Sequence, residues 1–324
     1  LDRAEVEWPA RLAGVAGYTW LVFVFWIACL TVLFLAWNLL AARRFRCTAR
    51  GSVIASLAII CAAFVCGWFE GCSIEVEEVL ISTPRLDAYA RPIRIVQISD
   101  VHLGKPRGTR FAETVARKLN DLKPDLVVST GDLVDSTSLN VHPVAEPLRS
   151  VRPPLGKYAV LGNHEYYTGL RAALAFHEAA GFRLLRGAAV QVVPGLTLAG
   201  VDDEAAEYTG QGGMTDESPV LASIHDQDFV VLLKHQPKVS SRALGRFDLQ
   251  LSGHTHGGQV FPFGILVRMV YGVRAGMYRL SDRSLLYVSR GTGVWGTPIR
   301  VFARPEITVF VLSPAADGKG RQAW

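Results

Sequence analysis

Cysteine is absent from the 324-residue chain after position 72; all five (Cys29, Cys47, Cys61, Cys66 and Cys72) lie near its beginning. The remaining sequence therefore holds neither a disulfide framework nor a thiolate metal site. Charge is missing from two stretches of the same early region. Leu12 to Ala42 and Gly51 to Phe69 contain no Asp, Glu, Lys or Arg. Both reach the roughly 20 apolar residues that cross a bilayer, and the first is too long for a signal-peptide core and has no small-residue cleavage site after it. No internal repeat or low-complexity tract occurs. The net charge of +5 is modest, and its arginine cluster sits beside an apolar run rather than across a folded face, so there is no nucleic-acid footprint.

Two membrane helices, about 12–42 and 51–69, are expected within a membrane region 1–72, followed by one catalytic domain over 73–314 and a frayed tail over 315–324. The loop between the helices carries Arg43, Arg44, Arg46 and Arg50 without an acid. The positive-inside rule makes that loop cytoplasmic, which sends everything after Glu70 to the extracytoplasmic side of a bacterial inner or cell membrane. The chain opens with Leu1 rather than Met, so spans before it stay open.

Five later segments share one design. Ile93 to Ile98 ends in Ser99-Asp100-Val101-His102, and Leu126 to Thr130 ends in Gly131-Asp132. Tyr158 to Leu161 leads to Gly162-Asn163-His164-Glu165, Phe229 to Leu233 to Lys234-His235, and Phe247 to Leu251 to Gly253-His254-Thr255-His256-Gly257-Gly258. Short continuous apolar runs are strands buried on both faces. In open α/β sheets ligands bind beyond the carboxyl ends of such strands, and each of these runs delivers Asp, Asn or His there. Helical periodicity over Thr109–Leu122 and Leu170–Ala180, and a shorter pattern over Pro237–Leu244, make an α/β sheet with parallel neighbours. Ile74–Ile81 reads as an opening strand. Met277–Leu280, Leu285–Ser289 and Ile307–Leu312 read as strands of a second, more antiparallel sheet.

Carboxylate, amide and imidazole donors together suit Mn, and also Fe or Zn, better than the oxygen cages of Ca or Mg. Seven such residues (Asp100, His102, Asp132, Asn163, His235, His254 and His256) are too many for one ion. Two divalent ions about 3.5–4 Å apart clamp an in-line displacement and activate water at neutral pH. That chemistry fits phosphate ester hydrolysis. The ordered motif set over about 93–260 resembles the calcineurin-like metallophosphoesterase superfamily. Its surroundings (GDLVD, GNHEYY, LSGHTHGGQ, and RGTG from Arg290) are similar to the membrane-anchored branch. The resemblance implies two packed mixed β-sheets flanked by helices, here preceded by two transmembrane helices. It implies a first metal on Asp100, His102 and His256, a second on Asn163, His235 and His254, and Asp132 as the bridge. It also implies a hydroxide held between the ions as nucleophile, with His164 at the leaving oxygen as catalyst.

Other polar residues have weaker readings. Lys234 either contacts an anionic substrate or points to solvent, and Arg290 either contacts phosphate or forms a structural salt bridge. His142, His177 and His225 read as surface residues, and Asp135, Glu165, Asp202 and Asp203 as supporting or turn residues. Phe261 to Val267 is apolar and follows the HxH loop; it faces either lipid or the core. The tether to a bilayer favours a lipid-linked or amphiphilic phosphodiester or pyrophosphate, and the resemblance implies a UDP-diacylglucosamine-like substrate of lipid A synthesis. That substrate is cytoplasmic, against the orientation read from the arginines. A phosphatase for soluble nucleotides or phosphoproteins and a non-catalytic membrane scaffold are the alternatives.

Overall fold

A computed structural model of the chain describes residues 3–86, 91–104, 108–135 and 141–315. The two uncharged runs form helices α1 (Arg3–Leu40) and α2 (Ala49–Cys72), joined by a turn at Arg43–Phe45. Within them Leu12–Leu40 and Ala49–Cys72 are long and apolar enough to cross a membrane. Thr48 caps α2 by accepting from the Gly51 amide at 3.1 Å, satisfying one of the orphan donors at a helix start.

The rest mixes strands and helices: β1 (Glu75–Thr83), β2 (Ile93–Ile98), α3 (Thr109–Asp121), β3 (Leu126–Ser129), α4 (Val141–Arg149), β4 (Lys157–Ala159), α5 (Asn163–Thr168), α6 (Leu170–Ala179), β5 (Arg183–Leu184), β6 (Ala188–Val193) and β7 (Leu196–Gly200). It continues through α7 (Ala205–Tyr208), α8 (Ser218–Ala222), β8 (Phe229–Leu233), β9 (Leu249–Ser252), α9 (Phe263–Tyr271), β10 (Gly276–Arg279), β11 (Leu285–Val288) and β12 (Glu306–Pro314). Two six-stranded sheets result, ordered β1-β12-β2-β3-β4-β5 and β10-β11-β9-β8-β7-β6.

Period-two alternation explains the continuous apolar runs. Along β2, Ile93 and Ile95 join Leu198, Val231, Leu251 and Phe310 in the core between the sheets. Val96 and Ile98 face the other way, against Val115 and Leu119 of α3, Leu148 of α4 and Phe176 of α6. Val230 and Leu232 of β8 likewise cover the outer face of the second sheet with Val220, Leu221 and Phe247. The central strands are covered on both faces, and the polar residues inside them, such as Gln97 of β2 and Gln250 of β9, are themselves buried.

Several expectations need correction. Ile307–Leu312 lies not in the second sheet but in the first, where β12 pairs parallel with β1 and antiparallel with β2. The second sheet is antiparallel only at its two edges; β7, β8, β9 and β11 run parallel. Hydrophobic period identifies a strand but not its partner. Pro237–Leu244 is coil and turn rather than helix. There the Arg242 amide donates to Ser240 Oγ at 3.3 Å and the Ser240 amide to Glu217, local bonds that compete with a helical ladder. His177 is buried, not exposed, between the rings of Phe176 and Phe182. The tail lies outside the described residues after Ala315.

The helix pair docks onto the folded part through a joint cluster of Trp26, Ile60, Val260 and Ile299, flanked by Phe25, Phe64 and Val301. Trp26 Nε1 donates to the Phe261 carbonyl at 2.6 Å, and the Arg300 amide donates to the Gly67 carbonyl at 2.9 Å. At Gly71 a Cβ would meet the Pro298 carbonyl oxygen at 2.7 Å. Absence of a side chain lets the helix backbone approach this closely.

The buried His177 predicts an acid-sensitive fold. Burial outweighs the bond from Nδ1 to the Ala173 carbonyl and pushes its pKa down from 6.5 to about 4. The unfolded chain therefore takes up this proton first, and stability falls as pH drops from about 6.5 to about 4. Replacement by leucine should remove up to about 1.4 kcal/mol per pH unit of that slope. Thermal unfolding of the parent and His177→Leu across pH 7.5 to 4.5 measures it, and identical slopes would contradict the assignment.

Candidate metal centre

All five ligand-bearing strand ends meet where the carboxyl ends of β2, β3 and β4 in one sheet face those of β8 and β9 in the other. Asp100, His102 and His256 bring ligand atoms within 4.8 Å of one another, as do Asp132, His235 and His254; His102, Asp132 and His164 form a third such group. Asn163 Oδ1 lies 3.0 Å from His235 Nε2 and 2.9 Å from His254 Nδ1. His102 Nε2 and His256 Nε2 face each other at 3.1 Å, and Asp132 Oδ2 stands 3.2 Å from His235 Nε2. Every predicted ligand is thus in one cluster.

The backbone is bent to achieve this. Among the described residues, eight other than glycine have positive φ, and five of them are Asp100, His102, Asp132, His254 and His256. Left-handed backbone is unfavourable for such residues, and strain of this kind gathers at functional sites. A Cβ at Gly253 would overlap Ser99 Oγ and the Asp100 carboxylate, so only glycine lets the HxH loop close over β2. The Asp100 carboxylate accepts from Ser99 Oγ at 2.6 Å and from the His254 amide at 3.0 Å, which ties two loops to one side chain.

Supporting groups orient the ligands. His235 Nδ1 donates to the Thr130 carbonyl at 2.8 Å and so turns Nε2 toward the cluster, the arrangement expected of a metal-binding imidazole. Burial opposes a proton on His235, yet the Asp132 carboxylate holds its pKa well above the ordinary value. Asp100 and Asp132 are buried, and this local demand for positive charge is what divalent cations would meet. Burial and the Arg300 guanidinium push the His256 pKa well down, keeping the ring neutral as metal binding requires. Arg300 is fully buried and donates to the carbonyls of His256 and Ala303, both at 2.9 Å. The donor set, with two buried carboxylates and the neutral imidazole of His256, fits a pair of ions.

His164 leans on Asp135, with Nδ1 2.8 Å from Oδ1. Burial disfavours the imidazolium, but the Asp135 bond and the Asp132 charge raise its pKa to about 9. Burial of Asp135 is outweighed by His102 and His164, and its pKa falls to about 2. Glu165 is wholly buried and accepts four amides, those of Asp132, Leu133, Val134 and Gly162, at 2.7–3.1 Å. It clamps the β3 exit loop to the start of α5. Asp202 pairs with Arg186 at 2.9 Å, and Asp203 accepts from Gln236 Nε2 and from the Ala205 amide.

The two weak substrate-contact candidates lie elsewhere. Lys234 is in a buried ion pair with Glu217 at 2.8 Å, neither in solvent nor at an anion site. Arg290 is held by Glu306, Glu77 and Glu75, a structural salt-bridge network. Sequence reasoning passed over Arg300 and Tyr271, whose hydroxyl lies 2.7 Å from His254 Nε2. A single arginine inside the apolar text Thr297-Pro298-Ile299-Arg300-Val301-Phe302 was the available signal, since a charge so placed is either exposed or fully bonded.

One cavity of about 570 Å³ opens over the cluster. Asp132, Asn163, His164, His254 and His256 form its floor; Phe263, Val267 and Tyr271 of α9 line one wall and Tyr18, Leu21, Val22 and Phe25 of α1 the other. The Glu165 clamp generates a prediction. Glu165→Gln presents an NH₂ group to amides that need an acceptor, so Asp132 loses its position. Metal affinity should drop about 10–100-fold, measured by calorimetric titration of the stripped protein with Mn²⁺; unchanged affinity would show that the clamp is dispensable.

A sequence profile described as calcineurin-like phosphoesterase matches residues 93–258, from β2 through the HxH loop. A metallophosphoesterase of Aquifex aeolicus is 40% identical over 248 residues, covering 76% of this chain and 93% of the relative. A transmembrane protein with metallophosphoesterase domain from Danio rerio is 35% identical over 254 residues; the match covers 74% of this chain and 58% of that protein's length. Among solved structures, a dimetal phosphatase from Danio rerio aligns over 62% of this chain and 88% of its own, at 13% identity and a TM-score of 0.42. The ordered motifs, the extent of the profile match and the Aquifex relative together establish that this chain belongs to the calcineurin-like phosphoesterase family.

Proposed function

We propose that this metal-dependent phosphoesterase is membrane-bound and hydrolyses a phosphodiester or pyrophosphate in an amphiphilic, lipid-linked substrate. The observation that carries the reading is the shared cavity: the same space touches His164, His254 and His256 at one end and Leu21, Val22 and Phe25 of an apolar helix at the other. A phosphate at the cluster would leave its apolar part against α1.

In this reading Asp100, His102 and His256 hold one ion, Asn163, His235 and His254 the other, and Asp132 is shared. Mn²⁺, with Fe²⁺ or Zn²⁺ as alternatives, suits these donors. Two ions so held supply Lewis-acid polarisation of the phosphoryl group and activation of water. His164, kept protonated by Asp135, gives its proton to the departing oxygen. Tyr271 and the Thr130 carbonyl fix the imidazoles of His254 and His235, and Arg300 fixes the HxH loop from beneath. The arginine-rich loop Arg43–Arg50 supports a cytoplasmic hairpin and an extracytoplasmic site.

Two measurements test this. With the full chain in detergent micelles, His164→Ala should retain bound Mn²⁺ but lose about 10²–10⁴-fold in kcat, whereas Asp132→Asn should lose the metal itself. Parent-level kcat in both variants would remove the mechanism. Across a series of phosphodiesters with lengthening alkyl chains, and an acylated nucleotide-diphosphate sugar, kcat/KM should climb with chain length. The ceiling is about fourfold per methylene, from about 0.8 kcal/mol per buried CH₂. A flat series, or a preference for nucleotides and phosphopeptides, would sink the amphiphilic substrate while leaving metal dependence intact.

A further inference from the structure

Helix α9 has too much apolar surface for a water-facing helix. Phe261 is 51% exposed, Phe263 45%, Ile265 58%, Leu266 45%, and Met269 and Val270 are each 76% exposed. Phe302, 70% exposed, extends the patch and meets the Phe261 ring edge-on at 5.8 Å. The one charged side chain of α9, Arg268, is also exposed. A contiguous patch of this kind marks an interaction surface, and the two long helices decide with what.

Depth follows from helix geometry. About 20 residues at about 1.5 Å each traverse a hydrocarbon layer about 30 Å thick. Counted back from Leu40, beside the arginine loop, that length reaches the neighbourhood of Leu21. The next residues along α1 are those that meet α9: Phe25 packs against Phe263 at 6.0 Å, and Trp26 bonds the Phe261 carbonyl. Counted forward on α2 from Gly51, beside the same loop, that length reaches Glu70, and the Gly67 carbonyl that receives the Arg300 amide lies inside it. Two independent helices therefore put the 298–302 loop and the start of α9 at acyl-chain depth.

We infer that α9 is a third membrane element, lying in the leaflet with Leu266, Met269 and Val270 among the acyl chains and Arg268 reaching up to the phosphates. The cavity between α1 and α9 then opens sideways into the leaflet rather than into bulk water. The inference rests on α1 and α2 spanning the bilayer, and its partner is the lipid itself, not a second protein.

The test is lipid photocapture by the full chain in phosphatidylethanolamine–phosphatidylglycerol nanodiscs. A benzoylphenylalanine residue replaces, one at a time, Leu266, Met269, Leu33 on α1, and Ala222 on α8, which packs at the opposite edge of the second sheet. Irradiation should give lipid adducts at Leu266 and Met269 in a yield matching Leu33, and none at Ala222. Adducts at Leu33 but not at Leu266 or Met269 would overturn the placement of α9 and leave the spanning helices intact. No adduct at Leu33 either would overturn the spanning reading and this inference with it.

Discussion

Two buried carboxylates, Asp100 and Asp132, packed among four imidazoles with almost no access to water, are the constraint on which the rest of this structure turns. Isolated charge is not tolerated in such surroundings unless it is bonded or compensated. The protein answers with oriented dipoles and hydrogen bonds: amides onto Asp100, the Thr130 carbonyl behind His235, and Arg300 behind His256. What these leave unanswered is positive charge at the centre, the place of the metal ions. The left-handed backbone at five of the seven ligands is endured for the same reason, because side chains leaving different strands in ordinary conformations would point apart.

Two sheets with dry faces are the means of holding that strain. Each ligand loop begins where a strand covered on both sides ends, so its first residue has little freedom, and Glu165 and Asp100 then lock neighbouring loops to each other. Packed walls and a converging polar floor make a site whose ligand-type atoms already lie together in this structure. The membrane-type helices enter the same scheme, since Trp26, Phe25 and Gly71 dock on the segments that follow the HxH loop. The apolar hairpin is therefore a wall of the cavity over the metal-binding cluster.

Much of this was legible in the residues. Asp100, His102, Asp132, Asn163, His235, His254 and His256 could be identified because each follows a short apolar run, and chemistry-bearing side chains at five such ends have no structural explanation in common. The helices α3 and α6 followed from periodicity, and the two uncharged stretches from length. Other features were invisible for definite reasons. The place of β12 between β1 and β2 joins segments far apart in the sequence, which a local pattern does not record. His177 was misplaced because one polar residue in an amphipathic pattern does not reveal whether its face meets a phenylalanine pair or water.

The amino-acid sequence alone determined the inventory: which side chains are of metal-binding type, which family's motif they spell, and which runs are long and apolar enough to cross a membrane. These are local properties, set by residue type and spacing. Tertiary structure alone decided relations across long separations. It turned Lys234 and Arg290 into ion-paired scaffold, put Arg300 beneath His256, and laid α1 along the cavity. It left the apolar text after the HxH loop as a helix with an uncovered face. Packing decides such matters because a buried charge or an apolar face is defined by what stands opposite it, and a linear pattern does not record its opposite.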